Sequence, residues 1–150
     1  MKYGRVVLAD GHLNVLGGVH GLLEALFESV LMVADERSMM EALAKFAPSL
    51  VVVDLSLPDS GKANIAARLR RGYPDVPIIV LSVYDDPTVV AEVRRAGVAG
   101  FVLKRTVATD LVPAIHEVLR GGVYVSPAAQ HGLESADPAT LHTVRPPPAR

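Results

Sequence analysis

The chain has 150 residues, half of them apolar, and its 15 basic and 16 acidic residues leave a formal charge of −1. That length suits one compact domain plus a tail, and the near-neutral balance gives no support to a nucleic-acid-binding domain, which would carry a basic excess. The lack of cysteine excludes disulfides, thiolate metal sites and a cysteine nucleophile.

The N-terminus, MKYGRVVLAD, has too short an apolar run for a signal peptide, and no run approaches the roughly 18 residues of a membrane span. A soluble cytoplasmic protein without membrane contact is the default expectation. The first strand is expected at VVLA (6–9), ending on Asp10 and Gly11. A helix follows, with Val15, Leu16, Val19, Leu22, Leu23, Leu26 and Phe27 on one face, Asn14 as its cap, and Gly17, Gly18 and Gly21 opposite. Each glycine costs about 1 kcal/mol relative to alanine, so this helix depends on tertiary packing. Strand two is expected at VLMVA (30–34), then a helix over Met39–Phe46 behind a Ser38/Glu41 capping box. Strand three is LVVVDL (50–55), followed by a helix carrying Ile65, Ala66 and Leu69 that ends near Gly72-Tyr73-Pro74.

Strand four is PIIVLS (77–82). Asp86 caps the next helix, Pro87 occupies its first turn, and Gly97 lies beyond its end. Strand five is GFVLK (100–104), and the last helix ends at Arg120-Gly121-Gly122. Pro113 within that helix predicts a late start, with a cap at Thr109 or Asp110, or else a kink. The strands are continuously apolar, as in a parallel sheet covered on both faces, and they alternate with helices five times. The prediction is a doubly wound α/β three-layer sandwich with a five-stranded parallel sheet in the order 2-1-3-4-5. After Ser126 the chain holds five of its eleven prolines and little apolar periodicity. Residues 127–150 therefore read as a linker or disordered tail with at most one early helical turn, leaving 1–126 as the domain.

Ligands of open parallel sheets bind outside the carboxyl ends of the strands. Asp10, Asp54, Ser82 and Lys104 all end apolar strands, and in the order 2-1-3-4-5 the two aspartates stand on neighbouring strands. Singly, each has a bland account as a cap, a turn former or a solvated charge. Together, two carboxylates, a hydroxyl and an ammonium in one crevice suit a divalent cation and a phosphoryl group.

Asp54 in VVVDLSLP, Ser82 in IIVLS before Tyr84-Asp85-Asp86, and Lys104 in AGVAGFVLK resemble a response-regulator receiver domain of the flavodoxin/CheY-like fold. The separations of 28 residues from Asp54 to Ser82 and 22 from there to Lys104 match that family, and the likeness runs from about Arg5 to Pro127. The phrases LSVYDD, RRAGVAGFVLK and RGGVYVSP resemble the subclass that carries a LuxR/FixJ-type helix-turn-helix domain. The resemblance implies that such an effector domain would follow about where this chain stops. It also implies a two-component transcriptional regulator, not an enzyme, in which Asp54 accepts a phosphoryl group from a sensor histidine kinase. Mg²⁺ would be held by Asp10, Asp54 and the Ser56 backbone carbonyl. Lys104 and Ser82 would bind the phosphoryl oxygens, and Phe101 would move with Ser82 to switch the face formed by helix four, strand five and helix five. A homodimer is expected by family habit, and DNA binding only through the effector domain.

One departure stands out. The family places two adjacent acids after strand one, and here the second is Gly11, which predicts weakened Mg²⁺ affinity. Asp10 could slide inward to replace it, and Asp59 in the loop after Asp54 is a weaker substitute. The loop PDSGKAN also sets its glycine one residue earlier than the family habit, and Lys62 beside it reads as solvated. The alternative is a receiver-like interaction module that does not need phosphorylation, with Asp54 a remnant. Other chemistries fare worse. Neither aspartate has the second Asp two residues on that a phosphohydrolase needs, Gly61-Lys62 lacks the rest of a P-loop, and no GxGxxG occurs. His12, His20, His116, His131 and His142 lack ligand spacing. Arg68, Arg70, Arg71, Arg94 and Arg95 read as solvated helix faces.

Overall fold

The computed structural model describes residues 2–11, 17–57 and 62–130, with backbone alone at 17 and 62–64. Its strands are β1 (Tyr3–Ala9), β2 (Phe27–Val33), β3 (Leu50–Asp54), β4 (Ile78–Ser82), β5 (Gly100–Leu103) and β6 (Tyr124–Val125). Its helices are α1 (Gly17–Leu26), α2 (Glu36–Phe46), α3 (Lys62–Gly72), α4 (Pro87–Arg95) and α5 (Val107–Leu119). All strand pairs are parallel, in the order β2-β1-β3-β4-β5-β6.

Alternate side chains of each strand project to opposite faces, which sorts the core into two layers. Val7, Ala9, Val51, Val53, Ile78 and Val80 face α2, α3 and α4, where Met39, Leu43, Ile65, Leu69, Val90 and Val93 meet them. Val6, Leu8, Leu50, Val52, Ile79 and Leu81 face α1 and α5, packing on Val19, Leu23, Leu111, Ile115 and Val118. This is the expected three-layer sandwich. At Gly100 the sheet passes close under α5. A Cβ there would stand 2.7 Å from Ile79 Cγ1 and 3.2 Å from Val118 Cγ2, so only glycine fits without displacing either neighbour.

Several local expectations need correction. The sheet has six strands instead of five, because Tyr124 and Val125 pair with Gly100 and Phe101. Two residues are too few to produce a legible apolar run. The chain also stays packed beyond the boundary at 126: it turns helically over 127–130, and Ala129 is fully buried in the layer that contains Phe101. β2 starts at Phe27, directly after α1, so Phe27 opens a strand and does not close a helix. The Ser38/Glu41 capping box is absent. Asp35 caps α2 three residues earlier, accepting 2.8 Å from the Ser38 amide. Nor does α5 start late. It begins at Val107 behind a 3-10 turn over Lys104–Thr106, and exposed Pro113 sits in its interior, where the ring cannot donate to the Thr109 carbonyl. Asp86 and Pro87 open α4 as expected, the Asp86 carboxylate accepting from the Thr88 amide at 2.8 Å. The Asn14 cap lies outside the described residues, as do Asp59, His12, His131 and His142.

Candidate functional site

The register of the sheet brings the polar strand ends together. Ala9 pairs with Val53, and Asp54 with Leu81, so Asp10 and Asp54 stand side by side one step past the β1–β3 ladder. Both are almost fully buried, at 0% and 1% exposure. The Asp10 amide donates to the Val33 carbonyl of β2 at 2.9 Å, which fixes this end of β1.

Asp54 is surrounded by donors. Its Oδ1 accepts from both the Ser56 amide and the Ser56 hydroxyl at 2.9 Å, while its Oδ2 is paired with the Lys104 ammonium. Burial by itself pushes the carboxyl pKa up. The Lys104 hydrogen bond and the two Ser56 bonds outweigh it and hold Asp54 below its ordinary value of 3.8. The site therefore presents an ionised, desolvated carboxylate, which is the form a nucleophile requires.

The other predicted residues are placed differently. Ser82 is fully buried at the end of β4, but its hydroxyl donates to the Tyr84 carbonyl at 3.0 Å and accepts from the Tyr84 amide at 2.8 Å. It is thus engaged with its own turn and not with Asp54. Phe101 is fully buried in the layer under α4. The role expected of Ser56 was a backbone carbonyl; the contacts found are made by its amide and hydroxyl. The sequence reading also missed a buried polar group beyond Lys104, made by Thr106, Asp110 and Ser126. The only trace of it in the sequence is that Asp110 and Ser126 stand beside apolar residues, Asp110 before Leu111-Val112 and Ser126 after Val125.

The response regulator receiver domain model matches residues 6–116. The chain belongs to that family. Its matches place this receiver among the LuxR/FixJ-type regulators. It is 35% identical over 140 residues to the transcriptional regulatory protein UhpA of Salmonella typhimurium, a match covering 90% of this chain and 69% of UhpA. It is 32% identical over 131 residues to the transcriptional regulatory protein DegU of Brevibacillus brevis, covering 86% of this chain and 56% of DegU. The receiver thus spans little more than half of DegU. Among solved structures, the isolated receiver domain of RcsB from Salmonella enterica serovar Typhimurium, in the presence of the phosphomimetic BeF3⁻, superposes with a TM-score of 0.81 at 26% identity. That likeness covers 88% of this chain and 99% of the RcsB domain.

Receivers of this family are signalling modules, generally non-enzymatic, and in general bind Mg²⁺. The residues here fit that ion in kind: Asp10 and Asp54 are buried carboxylates on adjacent strands, and Mg²⁺ is commonly held by one or two carboxylates with water completing the shell. They are sparse in number. Gly11 supplies no carboxylate, and no group of three His, Asp or Glu ligands forms among the described residues. Among the described residues, no helix is long and apolar enough to cross a membrane.

Proposed function

We propose that Asp54 is the phosphoacceptor of this receiver and that a sensor histidine kinase is its donor. A carboxylate oxygen of Asp54 attacks the phosphorus of the kinase phosphohistidine. The P–N bond breaks toward the imidazole as the O–P bond of an acyl phosphate forms. Asp10, Asp54 and the Ser56 carbonyl would hold Mg²⁺, which supplies neutralisation of the charge on the phosphoryl oxygens. Lys104 then turns its ammonium from the carboxylate to the new phosphoryl group. Ser82 follows once it releases the Tyr84 backbone, and Phe101 shifts with it. That exchange of partners links the chemistry to the face formed by α4, β5 and α5, biasing a population of conformers.

The observation that carries this reading is the pairing of Lys104 with a buried, ionised Asp54. In a longer parent, the receiver would run through the packed turn at 127–130, past the boundary expected at 126. The residues after it would link to a helix-turn-helix effector domain, through which any DNA binding and transcriptional control would run. Gly11 favours a second reading, in which the fold serves as an interaction module without phosphorylation.

Phosphoramidate with Mg²⁺, followed by intact mass spectrometry, separates the two. The expected result is one phosphoryl group per chain, absent in Asp54→Asn. No modification at about 10–50 mM Mg²⁺, well above the need of a well-formed site, would overturn the phosphoacceptor reading.

A further inference from the structure

A second polar group lies immediately beyond Lys104 and plays no part in the chemistry above. Asp110, on the first turns of α5, is 6% exposed. Its Oδ2 accepts from the Thr106 hydroxyl at 2.6 Å and from the Ser126 hydroxyl at 2.7 Å. Ser126, fully buried, accepts in turn from the Leu103 amide at 3.0 Å. Tyr124 belongs to the same group: burial, the charge of Asp110 and a hydrogen bond to it all push its phenol pKa up.

Burying a carboxylate whose partners, among the described residues, are hydroxyls is expensive, and an apolar side chain of similar volume would fill the space at lower cost. The placement accounts for it. Leu103 and Thr106 bracket the turn that carries Lys104, and Asp110 holds both ends, Thr106 directly and Leu103 through Ser126. The third arm reaches the segment over 124–130. There Ser126 donates its amide to the Phe101 carbonyl at 2.8 Å, its carbonyl accepts from the amides of Ala129 and Gln130 at 2.9 and 3.0 Å, and Ala129 is buried in the core layer that contains Phe101.

We infer that Asp110 is a positioning residue for Lys104 and that, through Ser126, it couples the Asp54 site to the docking of residues 124–130. The inference rests on the phosphoacceptor reading of Asp54. Drawing Lys104 toward a phosphoryl group strains the turn, loosens the Leu103–Ser126–Asp110 chain and so loosens the segment. By reciprocity, whatever holds or pulls the segment changes how readily Asp54 is modified.

Two measurements on the full chain test it. In Lys104→Met, amide hydrogen exchange at Ser126, Ala129 and Gln130 should quicken by about fivefold or more relative to Leu43 on α2, the lower end of ordinary coupling between sites. In Asp110→Asn and Ser126→Ala, phosphorylation by phosphoramidate should slow by about fivefold or more, and the Lys104 ammonium resonance should shift. If Asp110→Asn does not fold, Ser126→Ala, which removes only one hydroxyl, decides that arm. Unchanged exchange in Lys104→Met overturns the inference, as does wild-type phosphorylation in both Asp110→Asn and Ser126→Ala. A wild-type chain that accepts no phosphoryl group overturns the phosphoacceptor reading instead. The exchange measurement needs no phosphoryl donor and decides the coupling in either case.

Discussion

At Asp54, burial and hydrogen bonding pull in opposite directions, and the bonds win, with Lys104 the largest lowering influence. A carboxyl held below its ordinary 3.8 in the folded state contributes stability that is fully present above the unfolded value and is lost as pH falls through the folded one. Lys104→Met removes the largest lowering influence, so the folded value should rise. The stability that Asp54 loses on acidification then shrinks, so the variant should lose less stability than the wild type as pH falls. We expect a loss of about 1–3 kcal/mol at pH 7, since the variant leaves a desolvated carboxylate to its two Ser56 bonds. Urea titrations of wild type and Lys104→Met between pH 3 and 7 check both the size and the shallower pH dependence. Asp10, Asp54, Ser82 and Lys104 were legible in the sequence because each ends an apolar run. Which of them touch was not. Ser82 makes its bonds two residues away, to Tyr84, because a serine beside a turn satisfies the nearest backbone groups, and strand periodicity says nothing of that choice.

Elements as a whole were easier to read than their edges. The apolar runs located five strands because both faces of the sheet are covered, so burial imprints every residue of β3, β4 and β5. The edge strand β2 has exposed Glu28 and Ser29, and its start was not legible. Starts and stops depend on single caps, where several polar residues compete. Before α2 the chain offers Asp35 and Ser38, and the sequence pattern Ser38/Glu41 pointed to the wrong one. Asp35 has extended backbone, with φ −152° and ψ 169°, and so can turn its carboxylate back onto the Ser38 amide. Asp35→Ala should therefore cost about 1 kcal/mol in thermal or urea unfolding, while Ser38→Ala, inside the first turn, should cost less than about 0.5 kcal/mol. Equal losses, or a larger loss at Ser38, would restore the capping box. The same ambiguity hid the start of α5. Pro113 favours a first-turn position, but Leu111, Ala114, Ile115 and Val118 bury a stripe that extends the helix back to Val107 and tolerates one missing hydrogen bond.

For the molecule as a whole, the folded unit extends past the point where its composition changes. Val125, Ser126 and Ala129 are buried, the first paired with Phe101 of β5 and the second bonded to its carbonyl, although prolines and small residues surround them. A chain ending after Gly122 should be less stable than one ending after Gln130 by about 3–5 kcal/mol, from lost apolar burial and the hydrogen bonds of Ser126. Urea unfolding of the two truncations measures it, and equal midpoints would place the boundary before β6. The direction of β6 has a consequence for anything joined further along. α5 delivers the chain to the amino edge of the sheet, a strand length of roughly 15 Å from the phosphoacceptor edge. By running parallel to β5, β6 carries the chain back toward the edge where Asp54 lies. A passenger attached there is tethered close to the reaction edge. Holding a partner beside the reaction edge in this way raises its effective concentration there above that of a free one, so that weak contacts come to matter.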